Sequence, residues 1–270
     1  MAGKLTDYIA NAGAAGLERS KVLARVMQDP TAALFDRVGI AAGSRCLDVG
    51  CGTGDVSFEL ASRVGPRGQV IGADLDPAKL ELARRDAELE GLSENLAFQC
   101  VDVAEWSDER GFDAVYARFV LTQLRDPAAM LATFVRLTRP GGVVIVEDID
   151  HSGWLCEPPS ASHDRYTELC ERVVQSKGAD VHIGLRLPTL MAEAGLADVR
   201  VDVVQPVALR GEAKLAAAVS MKNMADAVVG AQLATAAEVE ALAAELIALA
   251  ERPDTLMGMP RILQIFGRRT

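Results

Sequence analysis

The chain has 270 residues, of which 50% are hydrophobic and 24% charged, a balance typical of a globular protein with one large domain. It carries 28 Lys and Arg against 38 Asp and Glu, which gives a net charge of -10. Phosphate backbones would repel so acidic a chain, and it has no dense basic run, so nucleic acid is excluded as an expected partner.

The chain begins with a region, residues 1–42, whose apolar residues recur at mostly helical spacings. Asp29-Pro30-Thr31 is expected to interrupt this region, with Pro30 opening a second helix. Strands and helices then alternate from residue 45 onwards. The predicted strands are Arg45–Val49, Gln69–Ala73, Leu96–Cys100, Phe112–Tyr116 and Val143–Val146.

The helices between these strands have recognisable starts. Asp76-Pro77 and Asp126-Pro127 each place a capping acid before a proline at the first helical position. A further helix, Val56–Arg63, follows a glycine-rich turn. Strands that alternate with helices predict an α/β fold with a doubly wound, mostly parallel sheet.

The pattern changes after Asp150, where an insertion of mixed helix is followed by a short helix at Pro188–Ala194 and a strand at Val199–Val204. Residues 211–257 are Ala- and Met-rich and are predicted to be helical, and Pro260–Phe266 is predicted to be the last strand. We therefore divide the chain into an N-terminal helical cap (1–42), a cofactor-binding core (43–150), an insertion with the remaining core helix and strand (151–210), a helical lid insert (211–259) and the last strand of the core sheet (260–270).

Cysteine usage and the N-terminus bear on location. The five cysteines form no CxxC pair, and MAGKLTDYIANAG lacks the apolar core of a signal peptide. No uninterrupted apolar stretch is long enough to cross a bilayer. These features predict reduced thiols, a cytoplasmic location and no membrane insertion, and no metal is expected.

The turn in CLDVGCGTGDVSFEL raises the question of its ligand. Its glycines, Gly50, Gly52 and Gly54, are spaced GxGxG rather than GxGxxG. Asp48 precedes them and Asp55 follows them. Carboxylates at these positions would oppose the pyrophosphate of a dinucleotide at a helix N-terminus, but they can face the ammonium of S-adenosylmethionine (SAM). The turn therefore favours SAM over NAD.

Two further acids follow neighbouring strands. Asp74 ends the second strand and can accept hydrogen bonds from both ribose hydroxyls, although NAD sites use such an acid too. Asp102 follows the third strand and can accept from the adenine amino group, with the Val103 N–H nearby. Because the carboxyl ends of parallel strands meet at one edge, these acids and Asp48 define one crevice.

The segments LDVGCGTG, GADLDP, VDV, FDAVYARFVLTQLRDP and RPGGVVIVED, in this order, resemble the class I SAM-dependent methyltransferases over roughly residues 40–150. Within that superfamily the chain is most similar to bacterial small-molecule methyltransferases related to the ubiquinone/menaquinone biosynthesis methyltransferases. The resemblance implies a Rossmann-like fold, SAM as the cofactor and S-adenosylhomocysteine (SAH) as its product. Residues 43–150 would then be the SAM-binding core.

The resemblance also implies roles for individual residues. The three glycines would line the methionine part of SAM, Asp74 would bind the ribose, and Arg118 would contact the amino acid end. The predicted cofactor-binding residues are Asp48, Gly50, Cys51, Gly52, Gly54, Asp74, Leu75, Asp102, Val103 and Arg118. Relatives often have a histidine where this chain has Gln123. We predict Gln123 in the substrate pocket and exclude an acid or base role at that position.

Methyl transfer from a sulfonium is an in-line displacement that depends on alignment and exclusion of water, and it needs a base only when the acceptor is protonated. His151, at the carboxyl edge of the sheet, is the candidate base, with a solvated loop histidine as the alternative. His163 is a weaker candidate and is expected to be a surface residue that pairs with Asp164 or Asp180.

The late helical region is predicted to contribute to the substrate pocket. The soft side chains of Met221 and Met224 suit an apolar or aromatic substrate, although methionines at helical spacing are more often core residues. This region and the N-terminal helices can pair subunits in a homodimer or cover the cleft.

The function expected from these features is SAM-dependent methyl transfer to a small organic acceptor. O-methylation is favoured, with C- or N-methylation as the alternative. An NAD-dependent oxidoreductase and a non-catalytic SAM-binding protein are the more distant alternatives.

Overall fold

The structure is a computed structural model that describes residues 14–270, so the first 13 residues of the predicted N-terminal helical cap (1–42) lie outside the described residues. The strands are β1 (Arg45–Val49), β2 (Gln69–Asp74), β3 (Leu96–Cys100), β4 (Phe112–Arg118), β5 (Thr138–Asp150), β6 (Leu155–Glu157), β7 (Leu196–Val204), β8 (Val207–Ala208), β9 (Leu256–Gly258) and β10 (Arg261–Arg269). The helices are α1 (Ala14–Val38), α2 (Asp55–Val64), α3 (Pro77–Leu89), α4 (Pro127–Leu137), α5 (Ala161–Ser176), α6 (Ile183–Glu193), α7 (Ala216–Asn223), α8 (Ala225–Gly230) and α9 (Ala236–Glu251).

The central feature of the described residues is a seven-stranded sheet in the order β3-β2-β1-β4-β5-β10-β7. β1 to β5 run parallel, and β10 runs antiparallel to both β5 and β7. The strand order reverses between β1 and β4, and open α/β sheets bind ligands outside the carboxyl ends of the strands at such a point. The predicted α/β fold with a doubly wound, mostly parallel sheet is confirmed.

Helices cover both faces of this sheet, which is why its central strands are apolar on both sides. On one face, α2, α3 and the second half of α1 share an apolar cluster with β1 and β2. On the other face, α4 and α6 pack against β4, β5 and β10. The capping acids predicted from sequence are in place, since Asp76 accepts from Ala78 N and Asp126 from Ala129 N.

Four helices, α5, α7, α8 and α9, form what we call the helical module, because their buried side chains share a separate apolar cluster. α9 begins with a capping box in which Thr235 and Glu238 exchange side-chain and backbone hydrogen bonds. α7 also packs against α1. The module is thereby linked to the sheet through α1.

A buried lysine links the segments at one end of the helical module. Lys214 lies in the 3-10 helix Glu212–Leu215 and is only 1% exposed. Its Nζ donates to the carbonyl oxygens of Leu209 (3.2 Å) and Arg252 (2.6 Å) and to Thr255 Oγ1 (2.7 Å). The Arg252 carbonyl lies just past the end of α9, where a cation is favoured by the helix dipole.

The break predicted at Pro30 is wrong, because α1 continues through it as one helix. Side chains on both sides of the proline are buried: Met27 lies in one apolar cluster and Leu34 in another. The carbonyl of Pro30 accepts from Gln264 Nε2 at 3.0 Å. Tertiary packing therefore outweighs the local cost of a proline inside the helix.

Two further boundaries differ from the predictions. Pro188 does not open its helix, since α6 begins five positions earlier at Ile183, whose side chain is fully buried. The region 211–257 is not continuous helix: it contains the 3-10 helix Glu212–Leu215, the α-helices α7, α8 and α9, and then the start of β9. β9 pairs with β6 and β8 in a second, three-stranded sheet, so a partner distant in sequence decides its conformation.

Candidate active site

The glycine turn connects β1 to α2 at the carboxyl edge of the sheet. Gly50, Gly52 and Gly54 have φ of 69°, 56° and 88°, the left-handed region that disfavours other residues. A Cβ on Gly50 would lie 2.6 Å from Val120 Cγ2, and one on Gly54 would lie 2.9 Å from Phe98 Cζ. A Cβ on Gly52 would meet no atom within 4 Å. The first and third glycines are thus needed for packing, while the second faces open space.

The turn borders a cavity that we call the crevice. It opens at the ends of β1, β2 and β4. Its walls include Arg19, Leu23, Asp48, Gly50, Cys51, Gly52, Thr53, Asp55, Asp74, Leu75, Asp76, Val101, Asp102, Val103, Arg118, Phe119, Val120 and Gln123. The structure therefore brings all but one of the predicted cofactor-binding residues to one cavity, the exception being Gly54, which lies behind the wall.

Asp74 ties the turn to the second strand. Its Oδ2 accepts from Gly52 N and its Oδ1 from Asp76 N, each at 2.9 Å. Each carboxylate oxygen has a further lone pair, and the side chain is half-exposed at the rim of the crevice. Asp102 is similar, since its Oδ1 accepts from Ala104 N at 2.9 Å. Both acids are held in place by backbone amides and can still accept from a ligand.

The acids at the turn disfavour a phosphate. Asp55 occupies the first turn of α2 and accepts from Thr53 Oγ1 at 2.8 Å, so a carboxylate already stands where a pyrophosphate would sit. Asp48 is buried and accepts from Ser57 Oγ at 2.6 Å. Burial raises the pKa of Asp48 to about 7.

Arg118 ends β4 and faces the crevice from the opposite side. Its Nη1 donates to Thr31 Oγ1 at 3.1 Å, and Thr31 donates in turn to Glu147 Oε2 at 2.7 Å. Glu147 is fully buried and also accepts from the hydroxyl of Tyr116 at 2.6 Å. A buried acid thus orients this guanidinium through one threonine.

A second cavity, which we call the adjoining pocket, shares Arg19, Leu23, Phe119 and Gln123 with the crevice. The end of β5, α5 and α7 supply most of its remaining wall, which is largely apolar. These residues include Thr122, Ile149, His151, Trp154, Tyr166, Cys170, Val174, Val181, Ala216, Ser220, Asn223, Met224 and Met259. A ligand in this pocket would lie directly beside a ligand in the crevice.

His151 lines the adjoining pocket, but both of its ring nitrogens are engaged. Nε2 lies 3.0 Å from the carbonyl oxygen of Thr167, and Nδ1 accepts from Trp154 Nε1 at 3.1 Å. The ring is therefore the neutral Nε2–H tautomer, and burial lowers its pKa. The base role of His151 stays a prediction, and it requires that Trp154 release Nδ1.

The other predicted substrate and catalytic residues do not all line the adjoining pocket. Gln123 and Met224 line the adjoining pocket, whereas Met221 is fully buried in the core of the helical module and does not reach the wall. His163 is not the expected surface residue. It is 4% exposed and its ring packs 5.8 Å from that of Trp154, because α5 turns this side toward the module core.

Sequence reasoning missed Arg19 and Trp154. Arg19 lies on α1, where a single basic residue carries no motif. Trp154 lies four residues after the end of β5, and its indole is oriented by the hydrogen bond from Nε1 to His151 Nδ1. Asp76 was predicted only as a helix cap, yet it also borders the crevice, and its Oδ2 is buried without a hydrogen-bond partner among residues 14–270.

A doubly wound sheet in this strand order, with a GxGxG turn and acids at successive strand ends, defines the class I SAM-dependent methyltransferases. The profile of the methyltransferase domain family matches residues 40–195, more than half of the chain. The chain belongs to this family, whose cofactor is SAM.

Individual relatives agree with that assignment. Trans-aconitate 2-methyltransferase of Methylobacterium radiotolerans is 41% identical over 48% of this chain and 46% of its own length. The ubiquinone/menaquinone biosynthesis C-methyltransferase of Idiomarina loihiensis is 31% identical over 42% of this chain and 45% of its own length. The chain thus spans about half the length of these curated relatives.

A solved structure gives the fold comparison. A phosphoethanolamine N-methyltransferase 2 of Haemonchus contortus, in complex with phosphomonomethylethanolamine and SAH, superposes with a TM-score of 0.58. The two are 17% identical over 93% of this chain and 57% of the other. At that identity the similarity concerns the fold. No helix among residues 14–270 is both long and apolar enough to cross a membrane.

Proposed function

We propose that this protein transfers a methyl group from SAM to a small organic acceptor held in the adjoining pocket. The observation that carries this proposal is the shared wall: four residues border both the crevice and the pocket. Two ligands in these cavities would touch each other, as a direct displacement requires. The largely apolar wall, with Trp154, Tyr166 and Met224, supports an apolar or aromatic body for the acceptor.

The residues of the crevice fit SAM. Asp74 would accept from the ribose hydroxyls and Asp102 from the adenine amino group, while Asp48 and Arg118 would face the charged amino acid end. The open space at Gly52 and the carboxylate of Asp55 at the helix start suit a ligand without phosphate. When bound, SAM supplies an electrophilic methyl group on a sulfonium.

The contribution of the chain to the reaction is to align the two ligands and exclude water. The helical module and Trp154 wall the pocket on the side away from the sheet. These groups restrict where the acceptor atom can lie, and such positioning can supply much of the rate in a displacement with a good leaving group. This route needs no covalent nucleophile on the protein.

The atom of the acceptor that receives the methyl group is a separate part of the proposal. O-methylation is our first choice, and C- or N-methylation is the alternative. The names of two relatives specify carbon and nitrogen acceptors, so family membership does not select among the three. An oxygen acceptor with an ordinary hydroxyl would require a base, whereas an ionised oxygen would not.

The base role predicted for His151 can be tested by substitution. We expect His151→Asn to lower kcat several-fold and to remove the acidic limb of the pH–rate profile, because the variant has no ring nitrogen to take the proton of the acceptor. The measurement is kcat against pH from 5 to 9 with the identified acceptor. Trp154→Phe serves as the matched variant that frees Nδ1. An acidic limb that persists in His151→Asn would contradict the base role of His151.

The raised pKa of Asp48 gives the cofactor affinity a pH dependence. In the free protein Asp48 is protonated below about pH 7, and the ammonium of SAH would favour its ionised form. SAH affinity should therefore rise about tenfold between pH 5.5 and 7.5 and level off above that range. Calorimetric titration of Asp48→Asn should show no such rise. A slope shared by both proteins would contradict a contact between Asp48 and the ammonium.

The function itself is tested by product identification. The protein is incubated with SAM labelled in its methyl group and with a small-molecule extract, and labelled products are identified by mass spectrometry. A labelled small molecule supports the proposal. Calorimetry against SAH and NAD separates the alternatives: tight NAD binding indicates an oxidoreductase, and SAH binding without any labelled product indicates a SAM-binding protein that does not catalyse transfer.

A further inference from the structure

Arg19 occupies the boundary between the two cavities. It lies on α1, is half-buried, and borders both the crevice and the adjoining pocket. Its Nε donates to Ser220 Oγ on α7 at 3.2 Å, which holds the guanidinium against the helical module. The side chain is thus positioned by the fold at the place where two ligands would meet.

No carboxylate of residues 14–270 forms an ion pair with this guanidinium. The charged or titratable groups that act on it electrostatically include Tyr166, Cys170 and the cation Arg118, and burial raises the pKa values of Tyr166 and Cys170. Burial lowers the pKa of Arg19 as well. By contrast Arg25, on the same helix, pairs with Glu212 at 2.6 Å. A partly desolvated guanidinium without an acid favours an anionic ligand.

A second polar group in the shared wall is also open to a ligand. Gln123 Nε2 donates to the carbonyl oxygen of Phe119 at 2.7 Å, which sets the orientation of the amide. Its Oε1 is buried and has no hydrogen-bond partner among residues 14–270. A buried amide oxygen in this state is costly unless a bound molecule donates to it. The polar groups of the shared wall are therefore arranged for a ligand rather than for each other.

We propose that the methyl acceptor carries an anionic group, a carboxylate or a phosphate, that binds the guanidinium of Arg19. The acceptor is thus an anion with an apolar or aromatic body. The body lies against Trp154 and Tyr166, and the charge lies at the boundary with the crevice. This inference rests on the proposed function, since it concerns the substrate of the same site.

The test uses simple probes on the SAH complex of the full chain. Benzoate and phenyl phosphate carry the anion on an aromatic ring, and benzamide is the neutral match for benzoate. Their affinities are measured by calorimetry for the wild type, Arg19→Gln, Arg19→Lys and Arg25→Gln. Arg25→Gln makes the same charge change on the exposed face of α1. Asp7→Asn is a second control. It removes the one carboxylate in the sequence of residues 1–13 and so tests whether that acid affects the binding of the anion.

We expect the wild type to bind benzoate or phenyl phosphate at least tenfold more tightly than benzamide. Arg19→Gln should weaken that anion 10- to 100-fold, by an order-of-magnitude estimate for a charge-assisted contact. Arg19→Lys should recover part of the loss, and Arg25→Gln and Asp7→Asn should leave the affinity unchanged. Which of the two anions binds more tightly distinguishes a carboxylate acceptor from a phosphorylated one.

Three results would overturn the inference. The first is that benzamide binds as tightly as both anions, and the second is that neither anion binds at millimolar concentration. The third is that Arg19→Gln weakens SAH but not 5′-methylthioadenosine, which lacks the amino acid end, because Arg19 would then serve the cofactor carboxylate. Failure of the proposed function is distinguishable from all three, since it would appear as absent SAH binding or absent methyl transfer in the wild type.

Discussion

Replacing Asp74 by alanine should weaken SAH binding by about 100- to 1000-fold, because this carboxylate holds the glycine turn and is proposed to bind the ribose as well. Two backbone amides, Gly52 N and Asp76 N, donate to it at 2.9 Å. It would also accept from the ribose hydroxyls, and hydrogen bonds to a charged group contribute about 1.5–3 kcal/mol each. Loss of the side chain removes both sets. Calorimetric titration with SAH measures the effect.

Two variants make that measurement specific. Asp74→Asn keeps one acceptor oxygen without the charge and should fall between wild type and alanine. Asp86→Ala removes an exposed acid from α3 and should leave SAH affinity unchanged. If Asp74→Ala binds SAH within twofold of the wild type while remaining folded, the ribose assignment is wrong.

Replacing Lys214 by methionine should lower the free energy of unfolding by about 3 kcal/mol. Methionine keeps most of the apolar stem and removes the ammonium that bonds to Leu209 O, Arg252 O and Thr255 Oγ1. Each buried acceptor left without a partner costs about 1–3 kcal/mol, and relief from burying the charge offsets part of that sum. Urea unfolding measures the loss, and hydrogen exchange should rise first at the end of α9.

Lys222 provides the matched control, since it is a half-buried lysine of α7 in the same module. Lys222→Met should change the free energy of unfolding by less than about 1 kcal/mol. The SAH affinity of Lys214→Met should stay close to that of the wild type, because Lys214 does not border the crevice. An unfolding free energy within 1 kcal/mol of the wild type would contradict the structural role of this lysine.

Much of the core could be predicted because its signals are local. Asp76-Pro77 and Asp126-Pro127 begin their helices as predicted, since a capping acid and a proline act within one turn. Asp74 and Asp102 were assigned to one crevice because parallel strands bring their carboxyl ends together. The glycine spacing and the acids beside it distinguish a sulfonium cofactor from a dinucleotide, because both features lie within one short segment of the sequence.

The errors lie where distant segments decide the outcome. Pro30 stays helical because both of its flanks are buried against other elements. β9 is a strand because it pairs with β6 and β8. His163 is buried because α5 packs against the rest of the helical module. Secondary-structure propensity is a weak guide in such places. The free energy gained by burying a side chain is larger than the differences in propensity between residues.

The sequence by itself determined the fold of the core and the methyl donor, because the turn and its acids lie on contiguous strand ends. Only the tertiary structure decided the shape of the adjoining pocket. Its walls come from α1, the ends of β4 and β5, and the helical module, and no sequence period relates them. Arg19 meets Ser220 across 201 positions of the chain. Arg19 belongs to no sequence motif, so only its position in the folded structure makes it a candidate for substrate binding.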